Sequence, residues 1–296
     1  MSFVILDLEW NAAYSKKRKK HINEIFEFGA VKIDDNRQII DRFSVLVKPS
    51  IGKFLNPYVK KLTHISFEEL QSAQHNFQSA LAEFADFLGD SILMTWSTSD
   101  LLALIENQNY FTGTDSLRFL TRYCDLQSYC EYILGVGSSS RQLGLSTCAE
   151  LLSIDTQTEH HRALSDAELS YLCFKKLYKK VPFEEFVEDA ADEEFYRKLT
   201  FKSKHITDLK SPLVDRSKMF FDCPECSTRC IQKTKWNVRS NSFKAVFVCP
   251  ECKKEFDGRV CVKQKYEGIV FTKKIVELPV KEEEPKSTSK PSENAE

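Results

Sequence analysis

Phe3-Val-Ile-Leu-Asp-Leu-Glu9 is the stretch whose reading decides the fold. Its apolar run has no basic lead-in and is far too short to cross a bilayer, so it reads as a buried β-strand rather than an export signal or a membrane span. On a strand, residues i and i+2 share a face. Asp7 and Glu9 therefore project together at the strand's C-terminal end. Two carboxylates that close repel each other unless a cation neutralises them. A buried strand ending in such a pair points to a metal site.

Working outward, Glu24–Ile33 (EIFEFGAVKI) and Ile39–Lys48 (IIDRFSVLVK) read as two more strands, joined by the turn residues Asp34-Asp35-Asn36, and an antiparallel set of three results. Phe77–Leu88 has apolar residues at helical spacing. Ser91–Trp96 predicts a strand and Ser99–Asn107 a helix, with Ser97, Thr98 and Ser99 as candidate caps. Cys124–Gln127 predicts a short strand leading into a helix that ends at Leu134. Gln142–Leu152 and Ala163–Lys180 follow as helices, the second stopping before Pro182. The order βββαβαβα predicts an α/β layer structure.

Four regions are expected: a domain over 1–182, a charged and mixed connector over 183–216, a Cys-rich module over 217–278, and a disordered tail over 279–296. The 296 residues are 42% hydrophobic and 29% charged, enough for a real core. With no leader recognised, the ten cysteines suit a reducing compartment, and a cytoplasmic protein without membrane contact is expected. The net charge of −1 is uninformative, but Ser217–Leu278 holds 13 Lys+Arg against 7 Asp+Glu.

Asp100 stands at the start of a helix just after a strand, where an acid is also ordinary helix-dipole chemistry. His161 and Asp166 lie in HHRALSDAELSYLCF, the imidazole in the loop before a helix and the acid in its first turns. His160 is the competing imidazole, and only the x4 spacing selects His161.

The ordered set Asp7-Leu-Glu9, Asp100 and His161-x4-Asp166, with INEIFEFGAV after the first motif, resembles the DEDDh branch of the 3′→5′ exonucleases. LTHI (Leu62–Ile65), TWSTSD (Thr95–Asp100), CDLQ (Cys124–Gln127) and HHRALSDA (His160–Ala167) resemble the Eri-like or KapD-like group. The resemblance spans about residues 3–180. It implies a ribonuclease-H-like fold with a mixed sheet and two Mg²⁺ or Mn²⁺ ions. It further implies that Asp7 bridges both ions, that Glu9 and Asp166 hold the one that activates water, that Asp100 stands behind them, and that His161 is the general base. His64 stands where the group has Gly in an LTGI turn, and Ser97 where TWG is usual. Neither touches the five metal and base positions.

Cys223-Pro-Glu-Cys226 and Cys249-Pro-Glu-Cys252 are separated by 22 residues. Two CxxC turns give the closed tetrahedral site of one structural Zn²⁺, with no open position for catalysis. The alternating residues between them predict a β-hairpin, and the segment resembles a zinc ribbon. Cys230 and Cys261 do not fit the spacing and read as core residues. Lys233, Lys235, Trp236, Arg239 and Lys244 are candidates for phosphate pairing and base stacking, although the tryptophan could equally pack a small core. Lys16–Lys20 forms a basic loop that should hang near the carboxylates and grip phosphates, act as a nuclear address, or be simply solvated.

The reading is a metal-dependent 3′→5′ exonuclease on single-stranded ends. RNA 3′ ends are preferred on the family resemblance alone. The alternatives are a DNA exonuclease of the proofreading type and a non-catalytic nucleic-acid-binding scaffold.

Overall fold

The computed structural model describes residues 1–136, 142–155 and 162–278 and divides into two compact units, Met1–Thr200 and Phe201–Glu296. The first contains, in chain order, β1 (Phe3–Ser15), β2 (Lys20–Ile33), β3 (Ile39–Leu46), α1 (Pro57–Thr63), α2 (Phe67–Ser72), α3 (Phe77–Leu88), β4 (Ile92–Thr95), α4 (Ser99–Thr112), β5 (Arg122–Asp125), α5 (Leu126–Leu134), α6 (Leu145–Leu151), α7 (Ala163–Leu177), α8 (Lys180–Glu185), β6 (Glu188–Asp189) and α9 (Glu193–Thr200). Its sheet runs β3-β2-β1-β4-β5-β6. β1, β2 and β3 are antiparallel, β4 and β5 join parallel to β1, and β6 closes the edge antiparallel.

Alternation along β1 divides the core between the two faces of the sheet. Val4, Leu6 and Leu8 pack with Phe84 of α3 and Leu101 and Leu104 of α4. Phe3 and Ile5 pack with Tyr129 of α5, Cys148 of α6 and Phe174 of α7. Asp7 and Glu9 continue the second series, so both carboxylates emerge on the face that carries α7.

Several elements differ from the sequence expectation. β1 and β2 run well past Glu9 as a long hairpin, with a register shift at Glu9/Trp10. Asn11, Ala13 and Ser15 are buried there while Ala12 and Tyr14 are exposed, an alternation that small residues hide from a hydrophobicity reading. The short helices α1 and α2 start on local caps, where the Asn56 and Ser66 side chains accept the N–H groups of Tyr58 and Glu69. α6 begins at Leu145 instead of Gln142, and α7 ends at Leu177, after which α8 carries Pro182 in its first turn, where its missing N–H costs nothing. Within the span 183–216, Phe183, Phe195 and Tyr196 pack into the first unit, whereas Ile206, Leu209 and Val214 pack into the second.

The second unit is β-rich: β7 (Lys204–His205), β8 (Ile231–Gln232), β9 (Asn237–Arg239), β10 (Ser242–Val248), β11 (Glu255–Lys265) and β12 (Gly268–Glu277). β9 and β10 pair antiparallel across Ser240-Asn241, both at positive φ (51° and 58°), the geometry of a tight type I′ hairpin turn. Phe221, Phe243, Phe247, Phe256 and Val260 form its core. Among the described residues no helix is long and apolar enough to cross a membrane. The tail expected over 279–296 lies outside the described residues.

Candidate metal centres and nucleic-acid surfaces

The structure brings Asp7, Glu9 and Asp166 together: one carboxylate oxygen from each lies within 4.8 Å of those of the other two. Two come from β1 and the third from the first turn of α7. The close approach rests on Gly29, which pairs with Asp7 across β1 and β2. A Cβ at Gly29 would stand 2.0 Å from the Leu164 nitrogen and 2.1 Å from the Ala163 carbonyl carbon, so only glycine lets the start of α7 lie on the sheet here.

Asp100 lies behind this trio at the start of α4 and is 4% exposed. Its Oδ1 accepts the Leu8 N–H at 3.0 Å, which ties it to the backbone between Asp7 and Glu9. Its oxygens are not part of the 4.8 Å cluster. His161, together with its rival His160, lies outside the described residues.

The electrostatics are those of crowded acids, with Arg162 only a minor opposing charge at Glu9. Burial, then repulsion from Asp100, Asp166, Glu9 and Glu27, holds Asp7 well above the usual carboxylate range. Burial and the Asp166 charge push Glu9 up to about 8. Burial pushes Asp100 up to about 7 against the opposing pull of the Leu8 N–H. Such a cluster is stabilised by taking up protons or cations, and hard oxygen donors suit Mg²⁺ or Mn²⁺. The donor set fits the ions inferred from the sequence.

Sequence reasoning missed Glu27 and Arg162. Glu27 pairs with Glu9 across the strands and is 1% exposed, a placement that would set like charges opposite each other. Arg162 answers it with both Nε (2.9 Å) and Nη2 (2.7 Å) on Oε1 of Glu27. Because Arg162 is the residue before α7, this pair fixes how the chain enters the helix that carries Asp166. The signal was Glu27 at an interior position of the otherwise apolar IFEFGAV.

His64 and Ser97 both adopt left-handed backbone, φ 58° and 72°. His64 terminates α1. The Ser97 carbonyl accepts the hydroxyls of Thr95 and of Tyr123 in the turn that leads to Asp100. Positive φ is the physical reason a glycine would be favoured at either place.

The basic loop does not hang beside the carboxylates. It caps the long hairpin, and Lys16 is seven residues beyond Glu9, about 23 Å at about 3.3 Å per residue. Arg18 donates to Asn109 of α4, and Lys20 pairs with Glu106.

In the second unit, Sγ atoms of Cys223, Cys226, Cys249 and Cys252 lie within 4.8 Å of one another. The two turns match: Ser227 N–H donates to the Cys223 carbonyl, Lys253 N–H donates to that of Cys249, and both donors have φ near +59°. Hydrogen bonds from Thr228 pull the Cys226 thiol down to about 6, toward the thiolate a metal needs. The four sulfurs fit a closed site for zinc. Cys230 is buried in the unit's core, and Cys261 is half-buried on β11.

Of the five side chains expected to meet nucleic acid, Lys235 and Arg239 are exposed. Lys233 pairs with Glu255, and Lys244 is half-buried on β10. Trp236 packs one side on Phe247 and Phe243, at 5.6 and 6.5 Å between ring centroids. It also lines an open groove of about 590 Å³ with Lys235, Arg216 and Phe220.

The family model described as Exonuclease, RNase_T, matches residues 4–174. The PolC-type DNA polymerase III of Thermotoga petrophila is 28% identical over 183 residues, which cover 61% of this chain and 12% of that protein. Its counterpart in Staphylococcus saprophyticus is 27% identical over 180 residues, again 61% and 12%. The chain thus spans only 12% of the length of these relatives. Among solved structures, a 3′-exonuclease described by its 3′-end specific recognition of histone mRNA stem-loop superposes with a TM-score of 0.52 at 19% identity, covering 62% of this chain and 83% of that one. The nuclease domain of 3′hExo, a DEDDh family member bound to rAMP, gives 0.51 at 20% identity, covering 59% and 90%. At such identities the likeness concerns the fold, and the first unit has the ribonuclease-H-like arrangement of these DEDDh nucleases.

Proposed function

The chain belongs to the RNase_T exonuclease family, and on that premise we propose that it is a metal-dependent 3′→5′ exonuclease that shortens single-stranded nucleic acid, RNA in preference to DNA. The observation that carries the reading is the trio Asp7, Glu9 and Asp166, with carboxylate oxygens close enough to share cations and Asp100 directly behind. Two divalent cations bound there would stabilise the attacking and leaving oxygens of an in-line phosphodiester displacement. Asp7, central to the cluster, would be shared between them. Glu9 and Asp166 would orient the side on which water attacks. Asp100 holds the Leu8 backbone and so keeps the spacing of the two β1 acids. His161, the residue before Arg162 in the chain, would accept the proton of the attacking water. The Glu27–Arg162 pair fixes where that part of the chain meets α7.

The Cys₄ module would carry a structural zinc and add phosphate grip through Lys235, Arg239, Lys233 and Lys244, with Trp236 offering a face for stacking.

A DNA-directed proofreading exonuclease is the second reading, and the PolC-type relatives favour it. The test is a comparison of matched 5′-labelled single-stranded RNA and DNA in Mg²⁺, Mn²⁺ or EDTA, beside His161→Ala. A metal-dependent ladder lost in the variant supports the mechanism, and the faster strand names the substrate. Intact binding with no cleavage in any metal would leave a scaffold.

A further inference from the structure

The long hairpin and the turn at Ser50–Phe54 enclose a groove of about 550 Å³, lined among others by Tyr14, Lys16, Lys17, Lys53, Phe54 and Tyr110. It is a built feature. Glu24, 4% exposed, accepts the N–H groups of Ser50, Ile51 and Gly52 at 2.6, 2.6 and 2.7 Å. Asn11 donates to the Phe54 carbonyl and accepts the Asn56 N–H. Two buried polar side chains of the hairpin thus pin the turn above it. Gly52 lets the turn lie close, since a Cβ there would meet Ala13 at 3.2 Å.

By strand alternation Asp7, Glu9, Asn11 and Ala13 share one face of β1, so the pinned turn sits on the same face as the carboxylates, while Tyr14 projects from the opposite face and the groove passes around the strand to reach it. The groove therefore begins two residues beyond Glu9, and Tyr14 stands about 17 Å from Glu9 at about 3.3 Å per residue. Its chemistry is the opposite of the site it adjoins. No acid lines it, and among the described residues Lys16, Lys17 and Lys53 form no ion pair. Two aromatic side chains stand unusually open, Tyr14 at 55% and Phe54 at 72% exposed. Lys17 Nζ lies 5.5 Å from the centre of the Tyr110 ring. Unpaired cations alternating with open rings are what a flexible single strand uses, phosphates on one and bases on the other.

We propose that this groove is a binding subsite for the single strand upstream of its 3′ end, holding it several nucleotides away from the carboxylate cluster. The inference rests on the exonuclease reading for the placement of the 3′ end. It makes the enzyme sensitive to substrate length: a strand too short to reach Tyr14 loses the grip.

The test is fluorescence polarisation of 5′-labelled single-stranded decanucleotides and trinucleotides with the full chain carrying Asp166→Asn and no added Mg²⁺ or Mn²⁺, so that binding is read without hydrolysis and without chelating the Cys₄ module. The triple variant Lys16→Ala, Lys17→Ala, Lys53→Ala should weaken decanucleotide binding roughly tenfold and lower the salt slope by about 2, near 0.7 per phosphate contact. The triple Lys→Arg variant should restore both. Tyr14→Ala and Phe54→Ala should weaken the decanucleotide several-fold and leave the trinucleotide little changed. Melting curves matching the parent show that the hairpin still folds. Parental affinity and salt slope in the alanine triple would overturn the proposal. So would unchanged decanucleotide binding alongside lost binding of a polyglutamate peptide, which would assign the groove to an acidic protein partner. A separate incubation of the unsubstituted chain with Mn²⁺ reads the exonuclease activity itself, so its absence would strike that reading and not the groove.

Discussion

Replacing Glu9 with Gln should make the metal-free protein more stable while disabling it, and the size of the gain follows from the site. Glu9 has its carboxyl pushed from 4.5 to about 8, by burial first and by Asp166, Glu27 and Asp100 after it. The folded chain therefore holds this proton more tightly than the unfolded chain does. Below about pH 4.5 both states are protonated and the group costs nothing. As pH rises, the unfolded chain releases the proton and the folded chain does not, so stability falls until about pH 8. At pH 7 the difference amounts to about 3 kcal/mol at about 1.4 kcal/mol per pH unit. Partial solvent contact brings this to about 2 kcal/mol. Glutamine keeps the shape and removes the titration. For a unit of this size about 2 kcal/mol raises the melting temperature by roughly 4–8 °C. The assay is thermal unfolding of parent and Glu9→Gln in EDTA at pH 4.5, 6 and 7.5. The variant's advantage should grow across that series, and Mn²⁺ should reverse it by stabilising the parent more. A variant that melts at or below the parent at pH 7.5, or a difference independent of pH, would refute the picture of crowded acids.

Gly29→Ala should cost about 1–3 kcal/mol by overpacking and at least roughly a hundredfold in turnover, because backbone 2.0 Å from the new Cβ must move and Asp166 moves with it; melting and initial rates check this. His64→Gly and Ser97→Gly should each stabilise the first unit by about 1 kcal/mol, since both positions hold left-handed backbone that only glycine adopts freely, and denaturant titration reads it. Chelation of zinc, or Cys249→Ser, should unfold the Cys₄ module, whose metal affinity is expected at roughly 10–16 kcal/mol, while the first unit keeps its melting transition; bound zinc by mass spectrometry and two-probe melting distinguish the outcomes.

Legibility in the sequence varied with physical cause. The first half of β1, Phe3 to Glu9, was readable because apolar character and alternation coincide there. α3 emerged with its bounds intact because its helical apolar spacing is followed by Gly89 as a stop. The far half of β1 was hidden because Asn11, Ala12, Ala13 and Ser15 are small or polar, and Asn11 and Ala13 are covered by the turn at Ser50–Phe54 instead of by a greasy core. The grouping of Asp7, Glu9 and Asp166 followed from their order along the chain, but the means of holding them did not. Gly29 beneath α7 and Glu27 against Arg162 are contacts between residues more than a hundred positions apart, and no local pattern encodes them. Glu27, a glutamate inside the apolar run IFEFGAV, was the one available hint. The basic loop was misplaced for the same reason as β1: its distance from Glu9 depends on how far the hairpin continues.

The most direct measurement is the fate of a 5′-labelled single strand incubated with Mn²⁺ and either the parent or Asp166→Asn. If Asp7, Glu9 and Asp166 hold the cations that cut, the parent yields a ladder shrinking from the 3′ end that EDTA abolishes, and the variant yields none while keeping its fold. A variant that produces the same ladder at the same rate would contradict the assignment of the site.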